Sequence, residues 1–459
     1  MRFDFSQLPL GSRAFSNKPM TFCDPVPRNF LSAIMELLAI ETGNRKAREH
    51  WQKMQLGNLL KHASQRSGFW RQKIGTRKIA DVTLSSLPIL GRSDIVKQVE
   101  NDGSLLLPDD QVRVTTATTS GSSGVPVKFF SSEMNGQYNA ARYAAQFLWE
   151  GLDLSLNSVK FNFTPLLRKD GIKVTRMKRW LGPLSPFIKS GSGKVIEYFH
   201  PNMNLLRKEL ERDPIGYLVA SRWTVETLLQ YMDPIALKRA GLAMWIPLGD
   251  AVDPKLRETF TSLGIPVRAT YSSEEVGLIG FECETIAGNY HVATSNVLVE
   301  VSTDKSFKLE RQKIGRVLVT HLHSYATPFI RYDLGDLASL AQKCACGHNG
   351  PTLSNVYGRE KTLVLHSNGI VSPFYMNASD MVKVARFKEY RIRQTGLKNL
   401  VAEISGRSSL TPEETAAFAK LIKMHAGEEF EVEVRAVSDI DWGASAKRLG
   451  FRNEILRGT

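Results

Sequence analysis

Long hydrophobic runs are missing from this sequence. Nowhere do its 459 residues hold the roughly 18 consecutive apolar positions that a membrane-spanning helix needs. Cysteine is scarce too: Cys23, Cys283, Cys344 and Cys346 are the whole supply, too few for a disulfide framework in a chain of this length. The first residues, Met-Arg-Phe-Asp-Phe-Ser, carry an acid and no continuous apolar core, so a secretory leader is not expected and a cytoplasmic protein is. No internal repeat or low-complexity tract is present. A hydrophobic share of 42% with 23% charged residues is ordinary globular composition, which excludes a disordered or fibrous chain.

What the chain has in excess is positive charge. Sixty basic against 46 acidic residues leave a net +14, compatible with nucleic acid, an anionic membrane or a polyanionic small molecule. The excess is spread out. Its densest cluster, Arg168 to Arg179, lacks the aromatic interleaving of a single-strand binder, so no nucleic-acid partner is expected. That cluster reads either as a solvated basic face or as a docking surface for an acidic partner.

Periodicity divides the chain. Apolar positions recur at helical spacing from Phe30 to Ile40 and from Trp51 to Ala63, so the first hundred residues read as helix. Strands and helices then alternate: strand Val127–Phe130, helix Glu133–Glu150, strand Tyr217–Ala220, helix Thr224–Tyr231, strand Ala243–Ile246, helix Pro254–Leu263 and strand Val267–Thr270. Such alternation predicts parallel β-structure in α/β layers. From about Asn289 to Leu340 the texture becomes consecutive strands (His291–Val301, Gly315–Leu322, Asp336–Leu340), which predicts a β-rich subdomain. The last hundred residues read as a small α+β unit, with strands at Phe387–Gln394, Leu400–Ile404 and Glu429–Val437 and a helix at Pro412–Ala426.

The sharpest local motif is Thr119-Ser-Gly-Ser-Ser-Gly-Val-Pro126, ahead of a strand that carries Lys128. Glycines let backbone approach a phosphate, and hydroxyls and N–H groups donate to it. A flexible Ser/Gly loop has the same composition, and no Gly-Lys-Ser/Thr follows, so this is not a Walker motif. Three further segments follow: Thr270-Tyr-Ser-Ser-Glu-Glu-Val-Gly277, Pro328-Phe-Ile-Arg-Tyr-Asp-Leu-Gly-Asp336 and Tyr357-Gly-Arg359.

In this order the four segments resemble the signatures of adenylate-forming enzymes, with wording closest to the phenylacetate–CoA ligase-like branch and its capsular-polysaccharide relatives. The resemblance runs from about Gln55 to near the C-terminus. It implies an α/β fold: a large N-terminal adenylation domain, residues 1–360, and a small mobile α+β domain, residues 361–459. It implies activation of a small, aromatic carboxylic acid by ATP as acyl-AMP, then acyl transfer to CoA. An amine or a carrier-protein thiol is the other acceptor, and a non-catalytic zinc-containing relative stays open. So does an oligomer.

Residue by residue, the resemblance places Thr119, Ser120, Gly121, Ser122, Ser123 and Gly124 around the ATP phosphates. It places Tyr271 near the adenine, and Glu275, four positions after Tyr271, on Mg²⁺. Asp336 would take the ribose hydroxyls, Arg359 the ribose or phosphate, and Lys361 the hinge. Lys447, in Ser445-Ala-Lys-Arg-Leu-Gly-Phe451, is the candidate for the lysine that the C-terminal domain brings to the reaction; a solvated tail is the other reading. Departures exist: Ser272 stands where glycine is frequent, Lys361-Thr362 replaces an acidic pair, and Ala446 replaces the glycine before the lysine.

A second constellation is metal-like. Cys283, His291, Cys344 and Cys346 make a four-ligand set of thiolates and imidazole suited to a closed, structural tetrahedral Zn²⁺, with His348 in reserve. Some members of the resembled branch carry a comparable cluster. Three buried thiols and a strand histidine would look the same in sequence. His321 and His323 fall on one strand face, more simply a structural pair than metal ligands. Asp250 and the segment Val219–Trp223 are expected on the pocket wall, where Arg222 is either an anion partner or an ordinary surface arginine.

Overall fold

A computed structural model describes residues 25–105, 113–119, 127–163, 172–198, 203–249, 251–302, 308–309, 312–376, 378–442 and 450–456. Asp250, Lys447 and the run Ser120–Gly124 lie outside these residues, as does Cys23.

The helical N-terminal reading holds. Helices span Pro25–Thr42, Arg45–Arg66, Gly68–Ile74 and Arg92–Asp102. Asn44 and Ser67 cap the second and third by accepting from Ala47 N and Trp70 N, which is why the chain breaks at those residues. Trp70 is fully buried beneath them, its indole N–H donating to Gln98 at 3.2 Å.

A five-stranded sheet carries the α/β layer. Its order is Ile172–Met177, Gly193–Tyr198, Ser158–Phe163, Gly216–Ala220, Leu242–Pro247. The first pair is antiparallel and the rest parallel. One face is closed by Leu206, Leu210, Val225, Leu228, Leu256 and Phe260 from the helices between strands. The opposite face looks toward helix Glu133–Trp149 and, beyond it, toward the site.

A seven-stranded antiparallel sheet carries the β-rich part. Its order is Val297–Ser302, Gly315–His321, Tyr332–Ala341, Thr352–Arg359, Tyr290–Val292, Gly277–Glu282, Thr270–Ser273. Two expectations are corrected here. The predicted strand His291–Val301 is two strands, because Ala293–Asn296 turns: Asn296 N donates to Ala293 O and the buried Asn296 side chain donates to Val276 O and Leu278 O. The predicted strand Val267–Thr270 is reduced to one bridge, Val267 with Trp245, and the chain instead enters the other sheet at Thr270. Strand formation thus begins about twenty residues earlier than the expected Asn289.

The C-terminal α+β reading also holds. A four-stranded sheet, ordered Glu431–Val437, Asn399–Ser405, Tyr390–Gly396, Phe451–Asn453, packs on helix Pro412–Ala426 through Phe418, Ile422 and Phe430. That helix starts and stops where the sequence says. Thr411 and Glu414 form a reciprocal capping box and proline occupies the first turn.

Candidate active site and metal centre

The motif segments converge on one cavity of about 1090 Å³, lined by Thr119, Tyr271, Glu275, Asp336, Gly358 and Arg359 among others. Strand register brings Asp336 opposite Arg359, and their side chains approach to 4.0 Å. Tyr271 reaches the same carboxylate: its hydroxyl donates to Asp336 Oδ2 at 2.7 Å. Burial and the Asp336 carboxylate push the Tyr271 phenol well above its ordinary value, so it stays a donor across the physiological range. In a flat sheet the strands of Tyr271 and Asp336 would stand four spacings, roughly 19 Å, apart. A direct hydrogen bond between them therefore requires the sheet to roll up, and the site lies where it does.

Glu275 and Glu274 part company. Glu274 is exposed, while Glu275 is 6% exposed at the cavity wall. Tyr332 donates to Glu275 Oε1 at 3.3 Å, and Arg92, at the start of its helix, stands 4.0 Å from the same oxygen. Burial and the Glu275 carboxylate raise the Tyr332 phenol. Directly after Glu275 the backbone turns at Gly277, with φ +68°, where a Cβ would meet Asn139 Oδ1 at 2.6 Å. Glycine is required there twice over, by the left-handed conformation and by the close approach. Arg92 and Tyr332 were not singled out by sequence: Arg92 is a lone cation almost two hundred residues upstream of its partner.

Thr119 directly follows strand Val114–Thr118, which pairs antiparallel with Lys128–Ser132. Its N–H donates to Val127 O and its Oγ1 accepts from Val127 N at 2.9 Å. Arg331, in the third motif, is a structural residue: it takes φ +52° and its Nε donates to Glu300 at 3.1 Å. Arg222 lines the cavity with only 18% of its side chain exposed, and its Nε lies 3.4 Å from Glu226 Oε1, so it is not an ordinary surface arginine. Lys361 is partly buried in a 3₁₀ turn, Glu360–Thr362, right after Arg359.

The far wall of the cavity is aromatic. Phe147 meets Trp180 edge-on at 5.4 Å and stacks on Tyr217 at 6.4 Å. The polar ends of Trp180 and Tyr217 are tied down, donating to Leu156 O at 2.9 Å and Asp153 O at 3.0 Å. All three residues line the cavity.

The four expected metal-type residues come together. One donor atom each from Cys283, His291, Cys344 and Cys346 fall within 4.8 Å of one another. Cys283 and Cys344 sulfurs are 3.8 Å apart, and Cys346 Sγ is 3.4 Å from His291 Nε2. Burial and the Arg268 guanidinium push His291 down to about 4, keeping its imidazole neutral and able to donate a lone pair. His348 stacks on His291 at 4.0 Å. Soft donors in a set of four, arranged as a compact cluster, fit a tetrahedral ion such as Zn²⁺. Cys283 follows strand Gly277–Glu282, His291 lies in Tyr290–Val292, and the other two sit between Tyr332–Ala341 and Thr352–Arg359, so the cluster joins four neighbouring strands at one end.

His321 and His323 stay out of that cluster. His323 bonds Ser295 O at 3.1 Å, and His321 is 1% exposed beside it, ring centroids 6.3 Å apart. Burial pushes His323 down to about 4 and His321 well below its ordinary value.

No family model matches the chain, and no curated protein matches it either. Solved structures do. A 2-hydroxyisobutyryl-CoA ligase in the postadenylation state superposes with a TM-score of 0.64 at 14% identity, covering 91% of each chain. A GH3.15 acyl acid amido synthetase superposes with a TM-score of 0.53 at 13% identity, covering 89% of this chain and 88% of its own. The chain thus shares its fold with these two enzymes over nearly its full length.

Proposed function

We propose that the protein is an ATP-dependent ligase that converts a small carboxylic acid to its acyl-AMP with release of pyrophosphate, then passes the acyl group to CoA. The observation that carries this reading is the meeting of Tyr271, Glu275, Asp336 and Arg359, from segments almost ninety residues apart, on one cavity. The acid is read as aromatic because the far wall of that cavity is an aromatic triad with its polar ends tied back.

In this reading Asp336 accepts from the ribose hydroxyls and Tyr271 holds that carboxylate in place. Arg359 lies 4.0 Å from it and turns its guanidinium toward the sugar or the phosphate. Thr119 and the run Ser120–Gly124 surround the phosphates. Attack of the acid carboxylate on the α-phosphate brings two anions together, so cations must offset the developing charge. Glu275 is the residue that would hold Mg²⁺, which when bound neutralises phosphate charge. Arg92 adds a second cation beside the same carboxylate. Lys447 is proposed as the lysine delivered by residues 361–459, turning about Lys361 against residues 1–360.

The Cys283, His291, Cys344 and Cys346 set would hold a zinc ion with no open position, serving structure and not chemistry. A second acceptor reading, an amine giving an amide, is favoured by the likeness to the amido synthetase.

Acid-dependent exchange of labelled pyrophosphate into ATP tests the first step, and product mass separates thioester from amide. Glu275→Gln should abolish exchange. Undiminished exchange in that variant sinks the magnesium assignment, and no exchange with any acid sinks the reading as a whole.

A further inference from the structure

The inner face of the five-stranded sheet forms part of the cavity, and its register sets side chains into rows. One row runs Val195, Lys160, Val219, Ile246 across four neighbouring strands, and all four line the cavity. Three members are aliphatic. The fourth is an ammonium on the central strand of a parallel array, where apolar residues are the rule. On the outer face of the same strand, Val159 and Phe161 obey that rule and are buried among the helices.

Lys160 makes no hydrogen bond or ion pair among the described residues, whereas two other cations of this cavity, Lys194 and Arg222, lie against acids. Lys194, one strand away, donates to Glu209 O at 2.7 Å and to Asp213 at 3.1 Å. Lys160 is exposed to the cavity, and a cation there with no partner among the described residues leaves an anion as the complementary ligand group.

We propose that Lys160 reads a second anionic group on the acid, so that the substrates are acids carrying a further carboxylate, sulfonate or phosphate remote from the carboxylate that is activated. This rests on the adenylation reading. The cavity holds the activated carboxylate near Glu275 and Thr119, the apolar middle of the acid against the aromatic wall, and its distal anion on the Lys160 ammonium. The two carboxylates are told apart by what each meets: one the ATP α-phosphate, the other a fixed positive charge.

The test is pyrophosphate exchange with paired aryl acids that differ only in a second, distal carboxylate, measured for the wild type, Lys160→Met and Lys160→Arg. The wild type should prefer the dianion by about 10- to 100-fold in kcat/KM, the scale of one charge-assisted hydrogen bond. Lys160→Met should erase that preference through KM, and Lys160→Arg should restore most of it. Retained binding of an ATP analogue shows that Lys160→Met is folded. Two results overturn the assignment: a wild type that prefers the monoanion, or a Lys160→Met variant that keeps the preference. Exchange with no acid of either kind brings down the adenylation reading as well; exchange without dianion preference brings down only this one.

Discussion

Replacing Cys344 by alanine probes the four-residue cluster most directly. If the cluster holds zinc, its dimensions must match the ion. Four donors at the usual Zn–S distance of about 2.3 Å define a tetrahedron with edges of roughly 3.8 Å, and an S–N edge of roughly 3.5 Å. The Cys283–Cys344 separation of 3.8 Å and the Cys346–His291 separation of 3.4 Å meet both figures. A metal joining Cys283 to Cys344 closes a loop of about 60 residues, and the chain-entropy relation for such a cross-link gives about 4 kcal/mol. A loss of that size lowers the thermal midpoint by about 5 °C for a unit of roughly 360 residues. The assay combines metal content by mass spectrometry, thiol titration of the native protein and thermal unfolding with and without chelator. One zinc per chain is expected in the wild type, with Cys283 and Cys344 unreactive until chelation. The reasoning fails if the purified wild type holds under about 0.1 zinc, its thiols react freely, and Cys344→Ala melts with it.

Further outcomes follow from single contacts. Tyr271→Phe deletes the donor to Asp336 and should raise the KM for ATP by about 2- to 10-fold with little change in kcat, the scale of one ordinary hydrogen bond; steady-state kinetics in ATP decides it. Arg257→Ala leaves the 3%-exposed Glu282 carboxylate, now bonded by Arg257 at 2.6 and 2.9 Å, without its cation, and should cost about 3–5 kcal/mol in denaturant unfolding. His323, held down to about 4 when folded, takes up its proton more readily once unfolded. Stability should therefore fall as pH drops from about 6.5 toward 4, by up to about 1.4 kcal/mol per pH unit for this one histidine. His323→Ala should flatten that part of the curve. Tyr271, raised when folded, acts at the other end: stability should decline above about pH 10, where the unfolded phenol ionises.

How much of this could be read beforehand varies with the range of the interaction. Helix Pro412–Ala426 was predictable to the residue because its cap, first-turn proline and terminal glycine are local signals. Tyr271, Asp336 and Arg359 were found by motif, and the metal-type cluster by residue chemistry. The region from Leu156 to His200 was opaque, since Ile172–Met177 is an edge strand with mostly exposed polar side chains and lacks the apolar run of a buried strand. The turn at Ala293–Asn296 was invisible because it is anchored by a side chain, Asn296, that donates to the carbonyls of Val276 and Leu278, twenty and eighteen residues away. Arg92 and Lys160 are single cations whose meaning comes from strand register and the chain's path.

The curl of the seven-stranded sheet sets the distance between Tyr271 and Asp336. These two residues touch across four strand spacings, and the Cys/His set joins four of the five strands that lead from one to the other. A metal at that end would fix those strands against one another and so hold that separation. Stripping it should loosen ATP binding at a distance, before the fold itself gives way.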